Sequence, residues 1–207
     1  MNLPEARLRP DPANTDTVAM PEESLRNQFL IAMPSLADSN FERSVSLLCE
    51  HGDDGALGLI INRPTDLTVG GMFEHLDIDC SGLNPAQTQG PVYWGGPVQS
   101  ERGFVLHSPP GQWESSILVS PTLAVSTSRD ILAAIGAGQG PDKFLITLGY
   151  AGWESGQLER EIMENSWLNT EASPSIIFDT ASDMRWDAAT RLLGIDPSSL
   201  SHGAGHA

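Results

Sequence analysis

Hydrophobic residues in the first third of the chain come in three compact bursts, residues 29–33, 45–49 and 57–61, each stopped by proline, glycine or charge. Runs this short, bounded by turn residues, predict β-strands. The polar residues between them, Asn40, Arg43, Asn62 and Arg63, then fall at strand ends. The period changes at residues 68–76, where Val69, Met72, Phe73 and Leu76 share one face of a helix that Thr68 can cap, although Gly70 and Gly71 weaken it. Residues 77–91 show no period and read as an irregular connection. Strands at 92–94 and 104–107 flank Gly95-Gly96-Pro97, a turn signal. A strand pair at 117–119 and 123–126 is broken by Pro121. Ser128 then opens a helix with Ile131, Leu132 and Ile135 on its face and Gly136 at its end.

Residues 143–150 form the strongest single strand pattern and run into Gly149-Tyr150-Ala151-Gly152-Trp153. Leu158 and Ile162 mark an amphipathic helix whose entry Trp153 can staple. Residues 175–178 read as a further strand, and Met184, Ala188 and Leu192 stripe a last helix that Gly194 ends. Helices are too few and too irregularly placed for a doubly wound sheet. The pattern predicts an α+β fold with a mixed, largely antiparallel sheet and helices packed around it. One domain is expected over 25–195, with no internal repeat. Residues 1–24, with four prolines and no periodicity, are expected to be a disordered leader, with Met20 as a second candidate start, and residues 196–207 a flexible polar tail.

The chain's 27 acidic and 11 basic residues give a net charge of −16. Such a field repels nucleic acid and anionic membranes. Ten of the eleven cations are arginines, which suit bidentate anion recognition; Lys143 is the exception. An acidic, lysine-poor composition can equally reflect genome composition or a salty habitat. No apolar stretch nears the roughly 20 residues needed to span a bilayer, and the first residues lack the basic and apolar regions of a secretory signal, so a cytoplasmic location is expected. Cys49 and Cys80 form no disulfide framework and no CxxC site. Cys49 reads as a buried small hydrophobe and Cys80 as part of a polar loop.

Several segments together carry a family signature: Phe29-Leu-Ile-Ala-Met-Pro34, Asn40-Phe-Glu-Arg-Ser-Val45, Ile61-Asn-Arg-Pro64, Trp94-Gly-Gly-Pro97, Arg102-Gly-Phe-Val-Leu-His107 and Gly149-Tyr-Ala-Gly-Trp153. In this order, over roughly residues 25–195, they resemble the YqgE/AlgH family of bacterial proteins. The resemblance implies a bifurcated sheet, part of it closed into a small barrel and surrounded by helices. The family takes its name from a proposed regulator of alginate synthesis, so the resemblance implies a regulatory role and no particular reaction.

The candidate site is a polar patch of Asn40, Arg43, Asn62, Arg63, Arg102 and His107. Converging guanidinium groups would bind an anion or a carboxylate, or each could brace a turn through Glu42, Asp66 or Glu101. His107 could act as a general base or as a hydrogen-bonded structural residue. Glu50 to Asp54 and His75 to Asp79 hold metal-capable groups without a recognised ligand spacing, so no metal and no cofactor is expected. The Gly149-x-x-Gly152 loop lacks the further features of a phosphate cradle and reads, with Gly95, Gly96, Pro97 and Trp153, as a structural motif. The expected function is that of a regulatory protein, not an enzyme, binding an unknown protein or a small anionic ligand. The alternatives are an enzyme using His107 with nearby carboxylates and a direct DNA-binding regulator, for which no helix-turn-helix pattern is present.

Overall fold

The computed structural model describes residues 24–36 and 38–201. In chain order the elements are β1 (Gln28–Ala32), β2 (Val45–Gly52), β3 (Gly55–Ile60), β4 (Pro64–Thr68), α1 (Val69–His75), α2 (Pro85–Thr88), β5 (Pro91–Trp94), β6 (Val98–Ser108), β7 (Ser116–Ser120) and β8 (Leu123–Ser126). Then come α3 (Arg129–Gly136), β9 (Lys143–Trp153), α4 (Gln157–Met163), β10 (Trp167–Glu171), α5 (Pro174–Phe178), a 3-10 turn at Ser182–Met184, α6 (Arg185–Leu192) and α7 (Pro197–Ser201). Among the described residues no helix is long and apolar enough to cross a membrane.

The early bursts are unbroken runs because those strands are buried on both faces. Phe29 and Ile31 of β1 and Val45, Leu47 and Cys49 of β2 enter the main core, while Leu30, Ala32 and Leu48 point the other way onto Trp153, Leu158 and Trp167. The sheet runs β10-β1-β2-β3-β9-β6-β8-β7, and every pair along it is antiparallel. It branches at β9. The C-terminal part of β9 pairs with β3, Gly58 opposite Ala151, whereas Thr147 and Leu148 pair in parallel with Tyr93 and Trp94 of β5. Gly95 is the wedge: its N–H donates to the Leu148 carbonyl at 2.8 Å and its own carbonyl accepts from Ile60 N at 2.9 Å. A Cβ on Gly95 would stand 2.2 Å from the Gly149 carbonyl oxygen, and one on Gly96 would meet the Tyr150 backbone at the same distance. Glycine is therefore required where the two backbones cross. The Gly95-Gly96-Pro97 segment is accordingly not a hairpin turn between β5 and β6, which do not pair.

The expected small barrel is absent. β7 approaches β2 without pairing, and β10 and β7 remain the two ends of the sheet. Side chains fill the space that barrel closure would occupy: the main core takes residues from both arms of the sheet and is capped by Ile176, Ile177, Trp186 and Ala189 of α5 and α6. A second core, on the opposite face of β5, β6 and β9, holds Val69, Met72 and Phe73 of α1 with Ile131 and Ile135 of α3.

Other expectations also shift. Residues 175–178 lie in a helix, not a strand, because Pro174 at its first position and Ser173 before it supply a helix start. The strand of that region is β10, on the outer edge of β1. Of the stripe Met184, Ala188, Leu192, only Ala188 packs against the main core: Met184 and Leu192 are 46% and 48% exposed, and α6 buries Arg185, Trp186, Ala189 and Thr190. The connection 77–91 contains α2, held by a reciprocal Asn84–Gln87 capping box. Cys80 packs against the second core, and Leu200 of α7, within the expected tail, packs against the main one. Residues 1–23 and 202–207 lie outside the described residues.

Candidate functional site

The expected arginine patch resolves into a structural seat. Asn62 bridges two backbones: its Oδ1 accepts from Val45 N at 2.9 Å and its Nδ2 donates to the Arg43 carbonyl at 2.8 Å. Arg63 donates to the Ser39 and Glu42 carbonyls at 3.3 and 2.9 Å and lies 5.5 Å from the Trp94 ring centroid. Arg43 reaches α6, with Nη2 at 3.1 Å from Asp187 Oδ1 and its guanidinium 4.1 Å from the Trp186 ring centroid. Asn40 takes part through its backbone, whose N–H donates to Asp38 Oδ1 at 2.8 Å. Arg43, Asn62 and Arg63 thus share the 39–43 loop. Arg102 does not join them: it contacts Gln99 at 3.3 Å and the Phe104 ring, both on its own strand.

His107 is fully buried. Its Nδ1 lies 3.0 Å from the Pro109 carbonyl and its Nε2 2.9 Å from Ser126 Oγ, which in turn lies 2.6 Å from Ser116 Oγ. A carbonyl can only accept, so Nδ1 carries the hydrogen and Nε2 accepts from Ser126. Burial lowers the imidazole pKa, and the bond to the Pro109 carbonyl offsets this only in part. No carboxylate is among its hydrogen-bond partners. Ser126 lies 19 positions away and becomes a partner through the β6–β8 register, which the sequence does not display. Cys49 is equally sealed, and burial, reinforced by Glu50, raises its thiol pKa far above the ordinary value.

The other structural-motif residues serve packing. Trp153 and Trp167 both donate to Glu161 Oε2, at 3.0 and 2.8 Å, and their rings meet edge to face at 5.9 Å. Leu158 packs in the same cluster as Trp153, although with Gly156 as N-cap the two do not hold the positions of a staple, and Gly152 pairs with Leu57. His51 of the Glu50–Asp54 segment accepts from Leu25 N through Nδ1 and bonds Glu159 through Nε2 at 2.7 Å. Among the described residues no three His, Cys, Asp or Glu side chains gather as a metal site.

The feature that the sequence does not announce is a groove of about 820 Å³ over the second core. Gly103 and Val105 of β6 and Ile146 and Leu148 of β9 form its floor; Met72 of α1, Leu76 just after it and Leu132 of α3 form its walls. Glu101 and Arg129 bring charge to its rim, and His75 an imidazole. Arg129 ties the helices together by donating to the Leu76 carbonyl at 2.6 Å, a favourable place for a cation at a helix C-terminus. At the start of α3, hydrogen bonds from Ser128, Glu114 and Ile131 hold the Asp130 carboxyl below its ordinary pKa. A Cβ on Gly103 would meet nothing within 4 Å, so that position leaves space in the floor. Strand parity places Glu101, Gly103 and Val105 on this face and Arg102 with Phe104 on the other. An 820 Å³ volume with mainly apolar walls and a polar side toward Ser126, Thr127 and Ser128 has the dimensions of a small-molecule site.

A family model described as AlgH-like, DUF179, matches residues 29–198. A UPF0301 protein of Chromobacterium violaceum is 51% identical over 185 residues, covering 89% of this chain and 98% of its own. A second, from Thioalkalivibrio sulfidiphilus, is 54% identical over 181 residues, with 87% and 96% covered. The solution structure of the AlgH protein from Pseudomonas aeruginosa superimposes with a TM-score of 0.72 at 48% identity, covering 91% of this chain and 98% of that one. A crystal structure of a Corynebacterium diphtheriae protein, at 20% identity and a TM-score of 0.67, shares the fold.

Proposed function

The chain belongs to the AlgH-like family, and from that premise we propose that it is a cytoplasmic regulatory protein that works by binding a small amphipathic ligand between α1 and α3. The groove itself carries this reading. It is the volume among the described depressions that combines a small-molecule size with mainly apolar walls and charged groups at the rim. The hollow of about 760 Å³ beside His51 is lined instead by Glu50, Asp53, Asp54 and Glu154 and suits a solvated acidic surface. Binding is favoured over turnover because His107, the candidate general base, and the Cys49 thiol are sealed from solvent. Regulation follows if occupancy alters how α1 and α3 sit on the sheet. The net charge of −16 weighs against direct contact with DNA.

Anilinonaphthalene sulfonate is a suitable probe, being apolar with one anionic group that Arg129 or His75 can meet. It should bind with saturable fluorescence enhancement at one molecule per chain. Gly103→Phe, which projects a ring into open space in the floor, should abolish the enhancement without lowering the melting temperature. Undiminished enhancement in Gly103→Phe would overturn the reading.

A further inference from the structure

Arg185 is the one arginine or lysine among the buried residues described, with 4% of its surface exposed. A buried guanidinium ordinarily has a carboxylate partner, because an uncompensated interior charge is costly. Arg185 has none among the described residues. Its Nε donates to the Thr180 carbonyl at 3.0 Å and its Nη1 to the Ile61 carbonyl, both neutral acceptors. Tyr93 stands beside it, with the ring centroid 5.0 Å from the guanidinium carbon. Of the two acids two positions away in sequence, Asp187 is committed elsewhere, to Arg43 and Arg191, and Asp183 forms no ion pair with it. In a chain with a net charge of −16, this cation forms no ion pair with any carboxylate among the described residues.

Arg185 also lines a cavity of about 280 Å³. Val69, Phe144, Ile146 and Phe178 supply apolar wall, and Lys143, already bonded to Asp179 at 2.7 Å, stands at the same cavity. Asp142 is the single carboxylate in the lining. Two of the five guanidinium N–H donors are used on carbonyls, which leaves three for Tyr93 and for an occupant. Burial lowers the pKa of Arg185 but does not neutralise it, since arginine keeps its proton in proteins.

We propose that this cavity is a second ligand site, taking a small organic carboxylate whose anionic end meets Arg185 and whose short apolar end lies against Ile146 and Phe144. The volume is too small for the occupant of the α1–α3 groove, and although the two cavities share Ile146, Arg185, Tyr93 and Phe144 line only this one, so failure of one leaves the other standing. The test is a titration of the full chain with sodium butyrate, followed by NMR at the Arg185 Nε–Hε group and the Tyr93 and Phe144 rings. Saturable shifts at these groups are expected, with a Kd on the order of 1 mM or tighter. Butyramide, which has the same shape without the charge, should give none. Arg185→Gln should weaken butyrate binding at least about tenfold. If that variant fails to fold, the butyrate and butyramide comparison on the unaltered chain still decides. Shifts that map to other residues, equal shifts with butyramide, or binding of inorganic phosphate in place of butyrate would each overturn the proposal.

Discussion

His107 holds one tautomer because the Pro109 carbonyl can only accept and the Ser126 hydroxyl can donate. Burial favours the neutral ring, so its pKa in the folded protein lies below the ordinary 6.5. The unfolded chain therefore takes up the proton first, and the stability held above about pH 6.5 declines as pH falls from there through the folded pKa. The hydrogen-bonded carboxyls of Asp79, Asp130 and Asp196 lie below their ordinary 3.8 and act only at lower pH. Melting temperature should thus drop as pH falls below about 6.5, and His107→Gln should flatten that segment of the profile. An unchanged profile in the variant would place the dependence elsewhere. Asn62→Ala, which strands Val45 N and the Arg43 carbonyl, should cost about 1–3 kcal/mol in urea unfolding, and Arg63→Ala, partly exposed, about 1 kcal/mol. At this scale the sequence reveals which residues matter at strand ends, since polar groups left over from apolar runs are conspicuous. It hides Arg185, which sits between Asp183 and Asp187 like any surface arginine; only the docking of α6 reveals that neither acid is its partner.

Elements with strong local signals are legible and those chosen by tertiary contacts are not. The first three strands, α1 with its Thr68 cap, the strand pair around Pro121 and α3 with Gly136 all appear where apolar spacing and capping residues put them. Ile176-Ile177-Phe178 fits a strand by composition, and the Pro174 helix start outweighs it because α5 must cap the main core. For α6 the apolar stripe is misleading. Trp186 fills the core and donates to the Ala32 carbonyl at 3.0 Å, which turns the helix so that Met184 and Leu192 face solvent. Trp186→Ala should cost roughly 3–5 kcal/mol, whereas Met184→Ala should change stability by less than about 0.5 kcal/mol. Equal losses at the two positions would contradict this orientation.

The whole molecule is organised by β9, which pairs with β6 on one edge and with β3 and then β5 on the other. Alternation and composition indicate a mixed sheet, but a branch depends on long-range pairing and on backbones crossing at Gly95, Gly96 and Gly149, where the glycines read locally as ordinary turns. The groove is hidden for the same reason: its lining comes from six elements spread between Leu67 and Leu148. Charge, by contrast, is read directly. With a net charge of −16, the protein should not retard duplex DNA in a gel at about micromolar concentration and physiological salt; sequence-specific retardation would restore direct transcriptional control. The central claim, a small-ligand site between α1 and α3, is tested most directly by methyl NMR of the full chain titrated with anilinonaphthalene sulfonate. The groove predicts shifts at Met72, Leu76, Leu132, Ile146 and Leu148, with the main-core methyls of Leu47 and Val125 unmoved. Shifts confined to the hollow around Asp53 and Asp54, or spread evenly through the main core, would contradict it.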